Sequence, residues 1–240
     1  VWSEWNGVDW DIRGLRLDTT GTPLDAAPLT ISGAIDNQTS PAVASDGTNF
    51  FVVWVDDRND STGYYTDIFG ALVQAGGGPI APDAGVRVAT NTLDISGTRG
   101  GPKIAFDGQR YLAAWHERGS GVGTPIMATS ITSSGVISTP VKLGDVDGDS
   151  NTPGLGCAQS RAQCAVAFPV VNGNQRPLGV VRVGAGLNVL DAAPRRVATA
   201  RRPRERSATI TRVPLKVCNA CWHIRPMGPA PITTAVVAGR

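Results

Sequence analysis

The sequence predicts an all-β protein assembled from repeated antiparallel units, and three observations predict it. Residues 41–54 read PAVASDGTNFFVVW, and residues 102–115 read PKIAFDGQRYLAAW, the same apolar and turn pattern one repeat later. A weaker copy, LGCAQSRAQCAVAF, occupies 155–168, and Val1-Trp2 has the character of the end of another. Asp-Gly stands between two apolar runs in both strong copies, which is the strongest short-range hairpin signal. Finally, 29 glycines and 17 prolines punctuate a chain of 240 residues with little helical periodicity. A repeat of roughly 40–60 residues marks an architecture in which each unit stacks on a neighbour to bury its apolar face.

The elements follow in order along the best-preserved copy. A first strand is predicted from Pro41 to Ser45, ending at Asp46-Gly47, a turn in which both residues are expected at positive φ. The second strand is Phe50 to Trp54. Phe50, Val52 and Trp54 point to one face and Phe51 and Val53 to the other, so both faces are apolar and the strand is expected between two sheets. A third strand, Asp67 to Val73, follows a polar loop; it turns at Gly76 to Gly78 and leads to a fourth around Val86 to Ala89. In the other copies the third strand is expected to begin at Ile12, Ile126 and Leu178, in register with Ile68. The first and last copies also share a closing phrase, Leu24-Asp25-Ala26-Ala27-Pro28 and Leu190-Asp191-Ala192-Ala193-Pro194.

Four short antiparallel strands in roughly 50–60 residues make the blade of a β-propeller, so the expected fold is a partial propeller of three to four blades. A β-sandwich is the alternative, since strands spaced by about 8–12 residues suit it too, but a sandwich does not require sets of four. The pattern PxVAxDGxxFxVVWxD…DIxGxxV resembles the propeller repeats found in tandem in predicted secreted and cell-surface bacterial proteins. The resemblance covers residues 1–199 and implies blades near 1–35, 36–96, 97–148 and 149–199, followed by a basic, proline-rich tail at 200–240. It implies a fold and no reaction. The first copy lacks its opening hairpin, and the fourth lacks the Asp-Gly turn and carries Phe168 in place of tryptophan. A closed ring needs 4–8 blades, so the remaining ones are expected in a longer protein of which this chain is a part.

Charge is divided along the chain. Residues 1–194 carry 12 basic and 19 acidic side chains, net −7, whereas residues 195–240 carry 10 and 1, net +9. An acidic body has no electrostatic footprint for nucleic acid, and no nucleic-acid partner is expected. No run of apolar residues reaches the length of a membrane-spanning helix. The tail opens on a basic cluster, Arg201, Arg202, Arg204 and Arg206, with no periodicity after it; an irregular extension, a basic arm and an out-of-frame segment all fit.

Cys157 and Cys164 fall where Val43 and Phe50 stand in one copy and Ile104 and Tyr111 in the next. These positions face each other across the hairpin, within reach of a disulfide. Such a bond places the protein outside the cytosol, in an extracellular, cell-surface or periplasmic setting. Cys218 and Cys221 form a C-x-x-C beside Trp222 and His223, but one cysteine pair and one histidine fall short of four zinc ligands. An incidental pair or a second local disulfide is the plainer reading.

An acidic residue stands two places after the tryptophan in three copies, as Glu4, Asp56 and Glu117, with Val170 breaking the series. The loops Asp56-Asp57-Arg58 and His116-Glu117-Arg118 are therefore candidate recognition loops, although a residue repeated in every unit serves the unit first, capping a turn or pairing with an arginine. Arg58, Arg118, Tyr64 and Tyr65 could supply sialidase-like chemistry, but their spacing matches no such motif, and no catalytic residue is assigned. Asp145, Asp147 and Asp149 resemble the opening of a calcium loop; Ser150 at the glycine position and Gly156 in place of a bidentate glutamate depart from it. The expected function is a non-catalytic binding or scaffold module for a protein or a glycan, with calcium the sole cofactor candidate. A glycoside hydrolase on the same fold is the alternative.

Overall fold

The computed structural model describes residues 1–59, 65–78, 85–94, 101–117, 124–146, 152–170 and 177–198. The tail at 200–240 with Cys218, Cys221 and His223, and also Tyr64, Arg118, Asp147 and Asp149, lie outside the described residues. The described chain is all-β and forms four antiparallel sheets whose strand order follows chain order. The first holds β1 (Trp2–Trp5), β2 (Trp10–Gly14) and β3 (Leu29–Ser32); the second β4 (Gln38–Ser45), β5 (Phe50–Asp56), β6 (Tyr65–Val73) and β7 (Val86–Asp94). The third holds β8 (Lys103–Phe106), β9 (Tyr111–His116), β10 (Thr124–Ile131) and β11 (Val141–Val146). The fourth holds β12 (Gly154–Ala158), β13 (Gln163–Pro169) and β14 (Leu178–Gly184), with β15 (Asn188–Val189) and β16 (Arg195–Ala198) both paired to β14. Helical structure among the described residues is confined to single 3-10 turns at Gln159–Arg161 and Ala185–Leu187, and no helix there is long and apolar enough to cross a membrane.

Three apolar cores join the sheets in sequence. Val52, Trp54, Phe69 and Ala71 of the second sheet pack on Ile12 and Ile31 of the first. Tyr111, Ala113 and Trp115 of the third pack on Phe51, Val53 and Ile68 of the second. Val166, Phe168 and Val181 of the fourth pack on Leu112, Ala114 and Ile126 of the third. Trp54, Trp115 and Phe168 thus occupy one position in successive second strands, and each is buried against the preceding sheet. The edge strands β4, β8 and β12 lie side by side. A two-layer sandwich closes one core between two sheets; here three separate cores divide four. Removing one of these rings would cost about 3–5 kcal/mol.

The Asp-Gly hairpins differ from expectation in their turn. Ser45 pairs with Phe50 and Phe106 with Tyr111, so each connection has four residues, and Val43 faces Val52 and Ile104 faces Ala113 where the sequence set them opposite Phe50 and Tyr111; only in the fourth sheet does the expected pair, Cys157 and Cys164, meet. Positive φ falls on the glycine alone, +92° at Gly47 and +100° at Gly108, and not on the aspartate. The aspartate caps the turn instead: Asp46 Oδ1 accepts the backbone N–H groups of Thr48 (2.8 Å) and Asn49 (2.7 Å), and Asp107 Oδ1 those of Gln109 and Arg110, both at 2.7 Å. An aspartate that satisfies two backbone donors with its side chain has no need of a left-handed backbone. Asn6-Gly7 builds the β1–β2 turn the same way, with Asn6 Oδ1 accepting from Val8 N (2.8 Å) and Asp9 N (3.0 Å).

Two further motifs gain a physical reason. The glycine of D-I-x-G, Gly14 in β2 and Gly70 in β6, lies under a neighbouring side chain. A Cβ there would meet Ile31 Cδ1 at 2.7 Å in the first case, and Phe51 Cε1 at 2.5 Å in the second. The shared closing phrase carries a clamp: Asp25 accepts the backbone N–H of Arg16 (2.9 Å) and its guanidinium, and Asp191 does the same for Arg182, with N···O 2.9 Å. Each pair pins the return of the chain after the third strand. In the third sheet Ser138 takes this place, accepting the backbone N–H of Ser130 at 3.1 Å.

Candidate functional site

The sheets are aligned end to end. Tyr111 donates to the Asn49 carbonyl oxygen (3.3 Å), and Arg16 reaches Ala75, so the Asp-Gly turns and the third-to-fourth strand connections gather at one end. Arg58 donates to Ser32 Oγ (3.2 Å) at the other end, where the connections between second and third strands emerge. Of the expected recognition residues, Asp56, Asp57 and Arg58 stand at this second end together with the β1–β2 turn.

Asp56 is buried. It accepts the indole N–H of Trp54 (2.7 Å) and both the Nε (2.8 Å) and Nη2 (2.7 Å) of Arg58, whose guanidinium lies 4.3 Å over the Phe69 ring. Asp56 and Arg58 therefore latch the second sheet to the first, and their charges are turned on each other. Asp57, partly exposed, is held by backbone pairing to Asn37 (3.0 Å) and faces its amide at 3.4 Å. His116 is buried, opposite Ile126 in the ladder. Glu117 is half-buried, donates its backbone N–H to the Pro125 carbonyl (2.8 Å), and has its carboxyl pushed above the ordinary range by loss of solvent. Trp115, unlike Trp54, has a buried indole N–H with no acceptor among the described residues.

Cross-strand register sets Glu4 opposite Asp11 and Asp56 opposite Asp67. Arg13 lies 3.1 Å from Glu4 and 3.5 Å from Asp11, and Arg87 lies 3.3 Å from Asp67. Facing carboxylates repel, so each pair carries its own counter-charge. Recurrence in two sheets marks these pairs as strand-end fixtures. Asp145 is ion-paired to Lys142 at 2.8 Å, and among the described residues no group of three acidic, histidine or cysteine side chains could hold a metal ion. Cys157 and Cys164 pair in the ladder and are joined by a disulfide, with Cα atoms 3.9 Å apart.

The same end exposes two residues absent from the sequence reading. Trp5 and Trp10 face each other across the last β1–β2 pair, ring centroids 5.8 Å apart. Their signal was in the sequence: Asn6-Gly7 is a turn dipeptide between two tryptophans that a hairpin must bring together. No protein-family model matches the chain, and no curated protein matches it.

Proposed function

We propose that the chain is a non-catalytic binding or scaffold module of a larger exported protein. Its four sheets are read as consecutive propeller blades, as in the tandem bacterial repeats that the sequence resembles. It holds a protein or a glycan through the loops at the end that carries Trp5, Trp10 and Asp57. The observation that carries this reading is that the β1–β2 turn and the described end of β5 lie at one end of the stack, where Trp5 and Trp10 are exposed and Asp57 is partly exposed. The serial cores and the side-by-side edge strands support a propeller, and the exposed Leu178, on the face of β14 turned away from the third sheet, leaves room for a further blade. The disulfide is compatible with an extracellular or periplasmic setting. Carboxylates that recur as structural pairs favour binding over hydrolysis.

The test is a glycan array and an array of extracellular proteins, run beside a panel of chromogenic glycosides. Retention of a ligand without release of product, weakened by Asp57→Ala, is the expected result. Turnover of a glycoside by the purified chain would replace this reading with the hydrolase one.

A further inference from the structure

Resting on the binding-module reading, we propose that Trp5 and Trp10 form a stacking platform for carbohydrate, and that the ligand is a polysaccharide chain. The two residues are the closing pair of the β1–β2 ladder, so both rings leave the same face of the hairpin. They meet edge to face, planes inclined at 61°, yet Trp5 is 52% exposed and Trp10 41%. Tryptophan is ordinarily covered on folding, and a paired, exposed set is the sort of patch that marks a binding site. Ile12, two positions beyond Trp10 on the same face, is fully buried against the second sheet, so the exposure begins where that cover ends.

The platform is built before a ligand arrives. Asn6 accepts two backbone N–H groups of the turn, and its amide donates to Asp9 and to Asp11 (3.0 Å). Little ordering remains to be done on binding, which favours weakly interacting, flexible ligands. A pyranose ring has an apolar face of C–H bonds that stacks on an indole and a rim of hydroxyls that donate to carboxylates. The turn offers both, since Asp9, next to Trp10 in the chain, is partly exposed. An anionic ligand fits less well, because Asp9 stands partly exposed at the turn. A protein partner of ordinary size covers about 800 Å² on each side, whereas these rings are confined to one four-residue turn in which Val8 is the sole further apolar side chain.

Affinity electrophoresis tests this, in gels cast with laminarin, hydroxyethylcellulose, xylan or galactomannan, each variant's melting temperature being read alongside. At least one polysaccharide is expected to retard the parent. Trp5→Ala and Trp10→Ala should each weaken that retardation about tenfold, Trp5→Tyr should keep part of it, and Leu24→Ala at the opposite end should change nothing. Should Trp5→Ala fail to fold, Trp5→Tyr and Trp10→Ala carry the comparison. Absence of retardation in all four gels would overturn the proposal, and a hit on the protein array would then leave the binding module standing with a different ligand. Retardation that survives both alanine substitutions but falls with Asp57→Ala would remove the platform and keep the loop surface.

Discussion

Trp54 and Trp115 hold the same place in neighbouring sheets but differ in one polar contact. Trp54 donates to the buried carboxylate of Asp56, whereas the indole N–H of Trp115 is buried with no acceptor among the described residues. Trp54→Phe therefore loses a hydrogen bond to a charged group, and Trp115→Phe relieves an unmet donor. Beyond their shared loss of volume, Trp54→Phe should cost about 1.5–3 kcal/mol more, measured as the difference in urea unfolding free energies; equal costs would contradict the pairing. A second residue-scale expectation concerns acid. The hydrogen bonds from Arg16 and Arg182 hold the carboxyls of Asp25 and Asp191 below the usual carboxylate range. A carboxyl depressed in the folded state adds stability above its unfolded value, and that stability is lost as pH falls toward the folded one. Melting temperature should thus change little from pH 7 to 5 on this account and drop below about pH 4. Asp191→Asn should start lower at pH 7 and show a shallower acid slope.

The hairpins are the elements on which the design turns. Gly47 and Gly108 both sit at positive φ, but a Cβ at Gly47 would meet nothing, whereas one at Gly108 would lie 2.7 Å from the Gln159 carbonyl oxygen of the fourth sheet. Gly47→Ala should cost about 1 kcal/mol for the left-handed backbone, and Gly108→Ala clearly more, as seen in paired thermal melts. In the fourth sheet the Asp-Gly turn is gone, and the disulfide closes the hairpin instead. Reduction with dithiothreitol should lower the unfolding free energy by about 2–3 kcal/mol through loop-closure entropy. A Cys157→Ser, Cys164→Ser double variant should lack this loss, and any remaining effect of the reductant would belong to Cys218 and Cys221.

Across the described sheets, each contributes residues to the core it shares with its neighbour, so stability passes from sheet to sheet. Phe168→Ala empties the core between the fourth and third sheets, at a cost of about 3–5 kcal/mol. Hydrogen exchange should consequently quicken in β9, β10, β13 and β14 before it quickens in β1 and β2. A uniform rise in all four sheets would mean that the stack unfolds as one unit and not neighbour by neighbour.

The residue pattern by itself determined the strand order within each unit, the two-faced burial of β5 and the pairing of Cys157 with Cys164, because these follow from period-two alternation and contacts within a few residues of a turn; the register of the Asp-Gly hairpins it did not, since side-chain capping by the aspartate lengthens the turn. Tertiary structure decided the rest. That Asp56 and Arg58 latch two sheets, that Asp25 answers Arg16, and that Trp5 and Trp10 stay uncovered depend on which sheet lies against which face and where its cover stops. A strand's own side chains encode alternation, but only the neighbour packed on them settles whether a charged or aromatic group becomes a fixture of the core or a surface offered to a ligand.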